Sequence, residues 1–178
     1  SPGVYATHDE LLDDTIRIQQ ELIREAIDAG ARYVQLDFPA YVQFVDAGSR
    51  AQLEAEGVDL DAALARALDA DRRVVEPFRG GDVTLAIHLC RGNFRSAWVA
   101  EGGYDPVAEA LFGEIEADAF FLEYDTDRAG DFSPLRYVRE DAVVVLGLVS
   151  TKTPQLEDKD ELKRRIDEAA RYVPLERL

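Results

Sequence analysis

The sequence has one cysteine, two histidines, one tryptophan and no methionine among its 178 residues. A lone cysteine excludes an intrachain disulfide, so Cys90 is a small buried apolar residue, a reactive thiol or a metal ligand. No apolar run approaches the roughly 18 residues needed to cross a bilayer. The opening "SPGVYATHDELLDD" lacks the basic and apolar regions of a secretory signal, so a soluble, cytoplasmic protein is expected. Ser1 stands where an initiator would, which leaves processing or an upstream segment open. Positive charge is scarce as well. Twenty Lys and Arg face 36 Asp and Glu, a formal charge of −16, and that field repels a phosphate backbone. No nucleic-acid or membrane partner is expected.

What is present alternates. Thr7 followed by Glu10 has capping-box spacing, and Leu11, Leu12, Ile16, Leu22, Ile23 and Ile27 recur at helical intervals up to Gly30. "RYVQLDF" is short and rich in β formers, as a strand is, and a turn at Pro39 follows. "DAGSRAQLEAEG" predicts an elaborated loop and helix. Residues 60–76 return to helical spacing, and Gly80-Gly81 break the chain before the strand "VTLAIHL". Asp105-Pro106 predicts an N-cap and first turn for "VAEALFGEIEA". "DAFFLEY" and "AVVVLGLV" are further strands, and "DKDELKRRIDEAARYV" is an amphipathic helix. Apolar strands separated by helices imply an α/β fold with a parallel sheet covered on both faces, in one domain spanning 1–178. About four strands suit either a small open sheet or half of an eight-stranded barrel.

Polar residues stand where each apolar run ends: Asp37, then His88 and Cys90, then Glu123, then Lys152. In parallel α/β folds those carboxyl ends share one ligand-binding face. Residues i and i+2 of a strand point the same way, so His88 and Cys90 can offer an imidazole and a thiolate to one point. Zinc suits that donor pair, with a carboxylate such as Glu123 as a third ligand. A core histidine beside a buried free cysteine is the competing reading. "RGNFRS" carries arginines that could meet a phosphate or carboxylate but lacks a phosphate-loop glycine pattern, and "EYDTDRAGDF" lacks calcium-loop spacing and is expected as a solvated loop.

Several segments in order, "YVQLDFPAY", "IHLCRGNFRSAWVAEGGYDPVAEALF", "DAFFLEYDTDRAGDFSPLRYV", "VVVLGLVSTKTPQLEDKDEL" and "RYVPLERL", resemble the C-terminal catalytic domain of cobalamin-independent methionine synthases. The likeness is nearest the short, single-barrel branch that includes epoxyalkane:coenzyme M transferase. It implies a (β/α)8 TIM barrel of the methionine synthase/uroporphyrinogen decarboxylase type, only part of which lies in this chain. It also implies a zinc-dependent methyltransferase moving a methyl group from 5-methyltetrahydrofolate, as the polyglutamate, to homocysteine to give methionine.

Carried over by motif, His88, Cys90 and Glu123 match zinc ligands, and Asp37 of "QLDFP" matches the aspartate that binds the amino group of homocysteine. The acid that follows it in the long enzymes is Phe38 here. Arg91 and Asn93 fall among substrate-binding positions, and Arg91, Arg95 and Arg128 are candidates for the folate carboxylates. Lys152 of "STKTP" lies near a histidine proton donor of the long enzymes and is the candidate catalytic acid. The family's last zinc ligand, a cysteine, is expected beyond Leu178, and the earlier barrel strands before Ser1. Alkyl transfer to another, coenzyme M-like thiol and a non-catalytic metal-binding fragment are the other readings, and an oligomer is compatible with each.

Overall fold

A computed structural model describes residues 3–178; Ser1 and Pro2, where the reading of the amino terminus begins, lie outside the described residues. Helix α1 (His8–Asp28) starts where Thr7 Oγ1 accepts the Glu10 amide at 3.1 Å. Glu10 reaches back to accept the Ala6 amide at 2.7 Å, one residue before the usual capping-box partner. Strand β1 (Tyr33–Asp37) leads through a turn of 3-10 helix at Pro39–Tyr41 and the short α2 (Val42–Val45) into α3 (Ala47–Ala55). Asp46 and Asp59 cap α3 and α4 (Leu60–Val75) by accepting the Ser49 and Ala62 amides. Then come β2 (Thr84–Leu89), α5 (Asp105–Glu114), β3 (Ala119–Glu123), β4 (Val143–Gly147) and α6 (Lys159–Ala169), the last capped by Asp158. At α5 the cap is Tyr104 rather than the expected Asp105, and no side chain accepts a first-turn amide there; the Tyr104 hydroxyl donates to Leu89 O.

Among the described residues the three strand pairings are all parallel and the order is β1-β2-β3-β4, without reversal. A doubly wound sheet would switch direction at a crossover, whereas successive neighbours are what a (β/α)8 barrel lays down. Register sets Asp37 beside His88, His88 beside Phe121, and Glu123 beside Gly147. One sheet face is the core: Leu85, Ile87, Leu89, Phe120, Leu122 and Val144 are buried with Ile16 and Ile23 of α1, Val75 of α4, and Leu111 and Phe112 of α5.

The opposite face departs from the expectation of two covered sides. Tyr33, Gln35 and Asp37 of β1 and Val143 and Val145 of β4 are exposed there. Helices whose residues join the core lie against the first face, and the bare one is the side a closed barrel turns towards its interior.

Asp71 of α4 accepts a hydrogen bond from the Tyr41 hydroxyl at 2.7 Å, which ties the segment after β1 to α4. Burial pushes the Asp71 carboxyl up to about 6, even though the Tyr41 bond pulls it down. A carboxyl raised in the folded state contributes stability below its unfolded value, near 3.9, and loses it as pH rises through about 6. Asp71→Asn keeps an acceptor for Tyr41 without the charge. It should therefore stabilise the fold by about 2 to 3 kcal/mol at pH 7.5 relative to its effect at pH 4. Thermal unfolding at the two pH values checks this; an equal effect at both would show that ionised Asp71 carries no burial cost.

Candidate functional site

The carboxyl ends of β2, β3 and β4 surround a cleft of about 330 Å³. His88 and Cys90 line it from the end of β2, Glu123 and Asp125 from the end of β3, and Asn93, Thr151 and Lys152 from the loops that follow β2 and β4. Phe121, Val145 and Val149 supply its apolar lining. The alternation of β2 places His88 and Cys90 on one wall, as their i, i+2 spacing requires.

His88 Nδ1 lies 2.7 Å from Asp37 Oδ1 on the adjacent strand. In the neutral ring a carboxylate at Nδ1 selects the tautomer that is protonated there, leaving the lone pair on Nε2. Asp37 is therefore tied to His88 at the edge of the cleft, with its side chain 66% exposed.

Glu123 and Asp125 are both heavily engaged carboxylates. Glu123 Oε1 accepts from Arg128 Nη2 at 2.7 Å and from Lys152 Nζ at 3.1 Å, while Oε2 accepts the Arg91 amide. Asp125 accepts from Arg128 Nη2 at 2.8 Å, Lys152 Nζ at 3.0 Å and Ser150 Oγ at 2.8 Å. All four charged side chains are at most 11% exposed. Burial raises both carboxyls, but the bonds from Arg128, Lys152, the Arg91 amide and Ser150 outweigh it and hold both below the ordinary carboxylate range. Burial lowers the Lys152 ammonium, and its two carboxylates more than reverse that, leaving it above its ordinary value. Lys152 thus stands in the cleft as a cation bonded to Glu123 and Asp125.

Arg91 is fully buried. Its guanidinium donates to the carbonyls of Gly102 (2.8 Å), Glu123 (3.0 Å) and Ala129 (3.3 Å) and stacks 4.2 Å from the Tyr104 ring centroid. The Tyr104 hydroxyl in turn donates to Leu89 O and accepts the Glu123 amide, bridging β2 and β3 where their ladder ends. The expectation that Arg91 meets substrate is thus corrected: every bonded guanidinium donor goes to main chain beneath the cleft. Gly92 makes the turn above it. It sits at φ 81°, and a Cβ there would meet Val99 Cγ2 at 2.7 Å.

The structure brings His88, Cys90, Glu123, Asn93 and Lys152 to one cleft, with Asp37 at its edge and Arg91 underneath. It does not gather the three expected ligands into a shell. Among the described residues no group of three or more His, Cys, Asp or Glu side chains is close enough to hold a metal ion. His88 and Cys90 fit zinc as a donor pair, while both Glu123 oxygens are already bonded to cations or an amide. Asn93 Nδ2 donates to Thr151 Oγ1 at 2.9 Å and so joins the β2 and β4 loops. Arg128, a candidate for a folate carboxylate, is paired below the surface and stacked 4.9 Å from the Trp98 ring; Arg95 is exposed at a left-handed turn. "EYDTDRAGDF" is no solvated loop where it carries Glu123, Asp125 and Arg128. Asp125 escaped the sequence reading although it stands two residues from Glu123, the spacing that singled out His88 and Cys90.

The model of the family described as "Cobalamin-independent synthase, Catalytic domain" matches residues 7–178. The chain belongs to that family. Two proteins of Bacillus subtilis (strain 168) are similar to it: YxjH, 42% identical over 183 residues with 99% of this chain covered, and YxjG, 44% identical over 172 residues with 93% covered. Both carry the description "Uncharacterized protein". The chain spans 47% and 44% of their lengths, about half of each relative. The fold is shared with a B12-independent methionine synthase from Shewanella sp. W3-18-1 in complex with selenomethionine. The two align with TM-score 0.72 and 19% identity over 99% of this chain and 48% of that one. That agreement places the four parallel strands within the barrel-type fold of the cobalamin-independent synthase family.

Arg91→Lys keeps the charge and loses the planar fork, leaving at least two of the three carbonyls without their partner. Urea unfolding should show a loss of about 2 to 4 kcal/mol. A loss under about 0.5 kcal/mol, the usual surface value, would mean that the guanidinium is no tie between these segments.

Proposed function

We propose that this domain carries the site of a zinc-dependent methyltransferase, acting in the cytoplasm on small molecules, that moves a methyl group from 5-methyltetrahydrofolate to homocysteine. The observation that carries the reading is the placement of His88 and Cys90 on one wall of the cleft with Glu123 beside them, in a chain of this family. His88 through Nε2, Cys90 and Glu123 would hold the metal, with a further ligand expected outside this sequence. Zinc so held supplies a Lewis acid that converts a bound thiol, with a free pKa of about 8.5, to its nucleophilic thiolate at neutral pH.

The chain's own residues bind and orient the reactants, and the proton lost by the thiol balances the one the departing folate nitrogen takes up. Asp37 Oδ1 fixes the His88 ring, and the exposed remainder of the Asp37 carboxylate is open to the ammonium group of an amino-acid substrate. Arg128 and the Arg91 amide orient Glu123 from below. Phe121, Val145 and Val149 offer apolar surface that excludes water from a methyl group in transit.

Metal analysis of the purified protein and turnover with methylated folate and homocysteine test this reading. Cys90→Ser should lower zinc affinity by at least roughly 10- to 100-fold, the loss that outer-shell changes already cause. Undiminished zinc in that variant sinks the ligand assignment, and turnover with a different thiol alone moves the acceptor to that thiol.

The Asp37–His88 bond separates two roles of Asp37. Asp37→Asn keeps an acceptor oxygen for Nδ1–H, so it should retain zinc while raising the KM for homocysteine. Asp37→Ala should also lose about 10- to 100-fold in zinc affinity. Identical zinc affinity in both variants and the wild type would show that His88 needs no support from Asp37.

A further inference from the structure

Lys152 is the buried cation that the proposed reaction does not use. It lines the same cleft as His88 and Cys90, 10% exposed, with Nζ 3.1 Å from Glu123 Oε1 and 3.0 Å from Asp125 Oδ2. We propose that Lys152 competes with the metal ion for Glu123, so that its ammonium sets the zinc affinity of the site and yields Glu123 to the metal by moving wholly onto Asp125. The proposal rests on the zinc reading above and deepens it.

Three features of the arrangement support an exchange. First, the contested atom is shared, since Oε1 of Glu123 already accepts from both Lys152 and Arg128, and a dication drawn to that carboxylate meets the ammonium at close range. Second, Lys152 has somewhere to go. Asp125 lies two residues from Glu123 on the same side, and Ser150, which accepts the Lys152 amide at 3.3 Å, itself donates to Asp125 Oδ2. The loop that carries Lys152 is therefore anchored on Asp125 whether or not Glu123 is engaged. Third, Glu123 keeps its place without Lys152, because the Arg91 amide and Arg128 hold it from the other side. Glu123, Asp125, Arg128 and Lys152 are formally neutral as a set, so a dication drawn to Glu123 meets no surplus negative charge there while both cations stay on it. Once loaded, the same event leaves an ammonium at the cleft wall with one carboxylate fewer to neutralise it, a cation that an anionic group of a substrate would then meet.

Zinc affinity, measured by competition with a chelator at fixed pH, tests the proposal in the wild type, Lys152→Met, Lys152→Arg and Cys90→Ser. Lys152→Met should bind zinc about 10- to 100-fold more tightly, the equivalent of one charge-assisted hydrogen bond removed from the competing state, and Lys152→Arg should stay near the wild type. Thermal unfolding with and without zinc gives a second readout. Lys152→Met should melt lower than the wild type without zinc and show the larger zinc-induced rise, including recovery of a folded state if it is unfolded without metal. Equal or weaker zinc binding by Lys152→Met, or no larger zinc-induced rise, while Cys90→Ser weakens binding overturns the competition and leaves the zinc reading standing. Unchanged binding in Cys90→Ser overturns the zinc reading, and the competition with it.

Discussion

The site hangs on one buried guanidinium. Arg91 follows Cys90 directly, and its side chain passes beneath the cleft to bond main-chain carbonyls at 102, 123 and 129, while its amide holds the Glu123 carboxylate. One residue thus links the end of β2 to the end of β3 and to both loops beyond them. Removing an arginine from water is costly, and the cost is met here because its charge is spread over several carbonyl dipoles and the face of Tyr104. That tie adds to the β2–β3 ladder and the Tyr104 bridge in holding Cys90 and Glu123 in their relative position.

Above this tie the cleft divides into two electrostatic halves. On the β1–β2 side, Asp37 and His88 form one pair that is open to solvent and adjustable. On the β3–β4 side, two carboxylates and two cations are packed almost out of water, and each carboxylate stays ionised because a cation stands against it. The first half meets a ligand from solvent, and the second presents paired charges at the cleft wall.

The strand ends were legible in the sequence because apolar runs stop at the carboxyl ends of the strands, and a parallel sheet brings those ends to one side. That reasoning located His88, Cys90, Glu123 and Lys152 on one cleft. It failed where partners lie far apart along the chain. Nothing local marks Arg91 as buried, since its partners come from three separate segments. The Asp37–His88 bond depends on a register that periodicity does not determine. Asp125 and Arg128 looked like a wet acidic loop because composition describes the residues of a loop and not what covers them. The bare sheet face was missed for a related reason: side chains turned to a barrel interior are as apolar in sequence as those turned to helices.

The unreversed order of the four strands has a consequence for how such a chain can vary. Each strand pairs with the one before it in sequence, and among the described residues β1 and β4 are the outer strands. A β/α unit joined before β1 or after β4 extends the ladder without breaking a pairing already made and without threading the chain past itself. The architecture is modular at its margins and fixed at its centre, where the ends of β2 and β3 carry His88, Cys90 and Glu123.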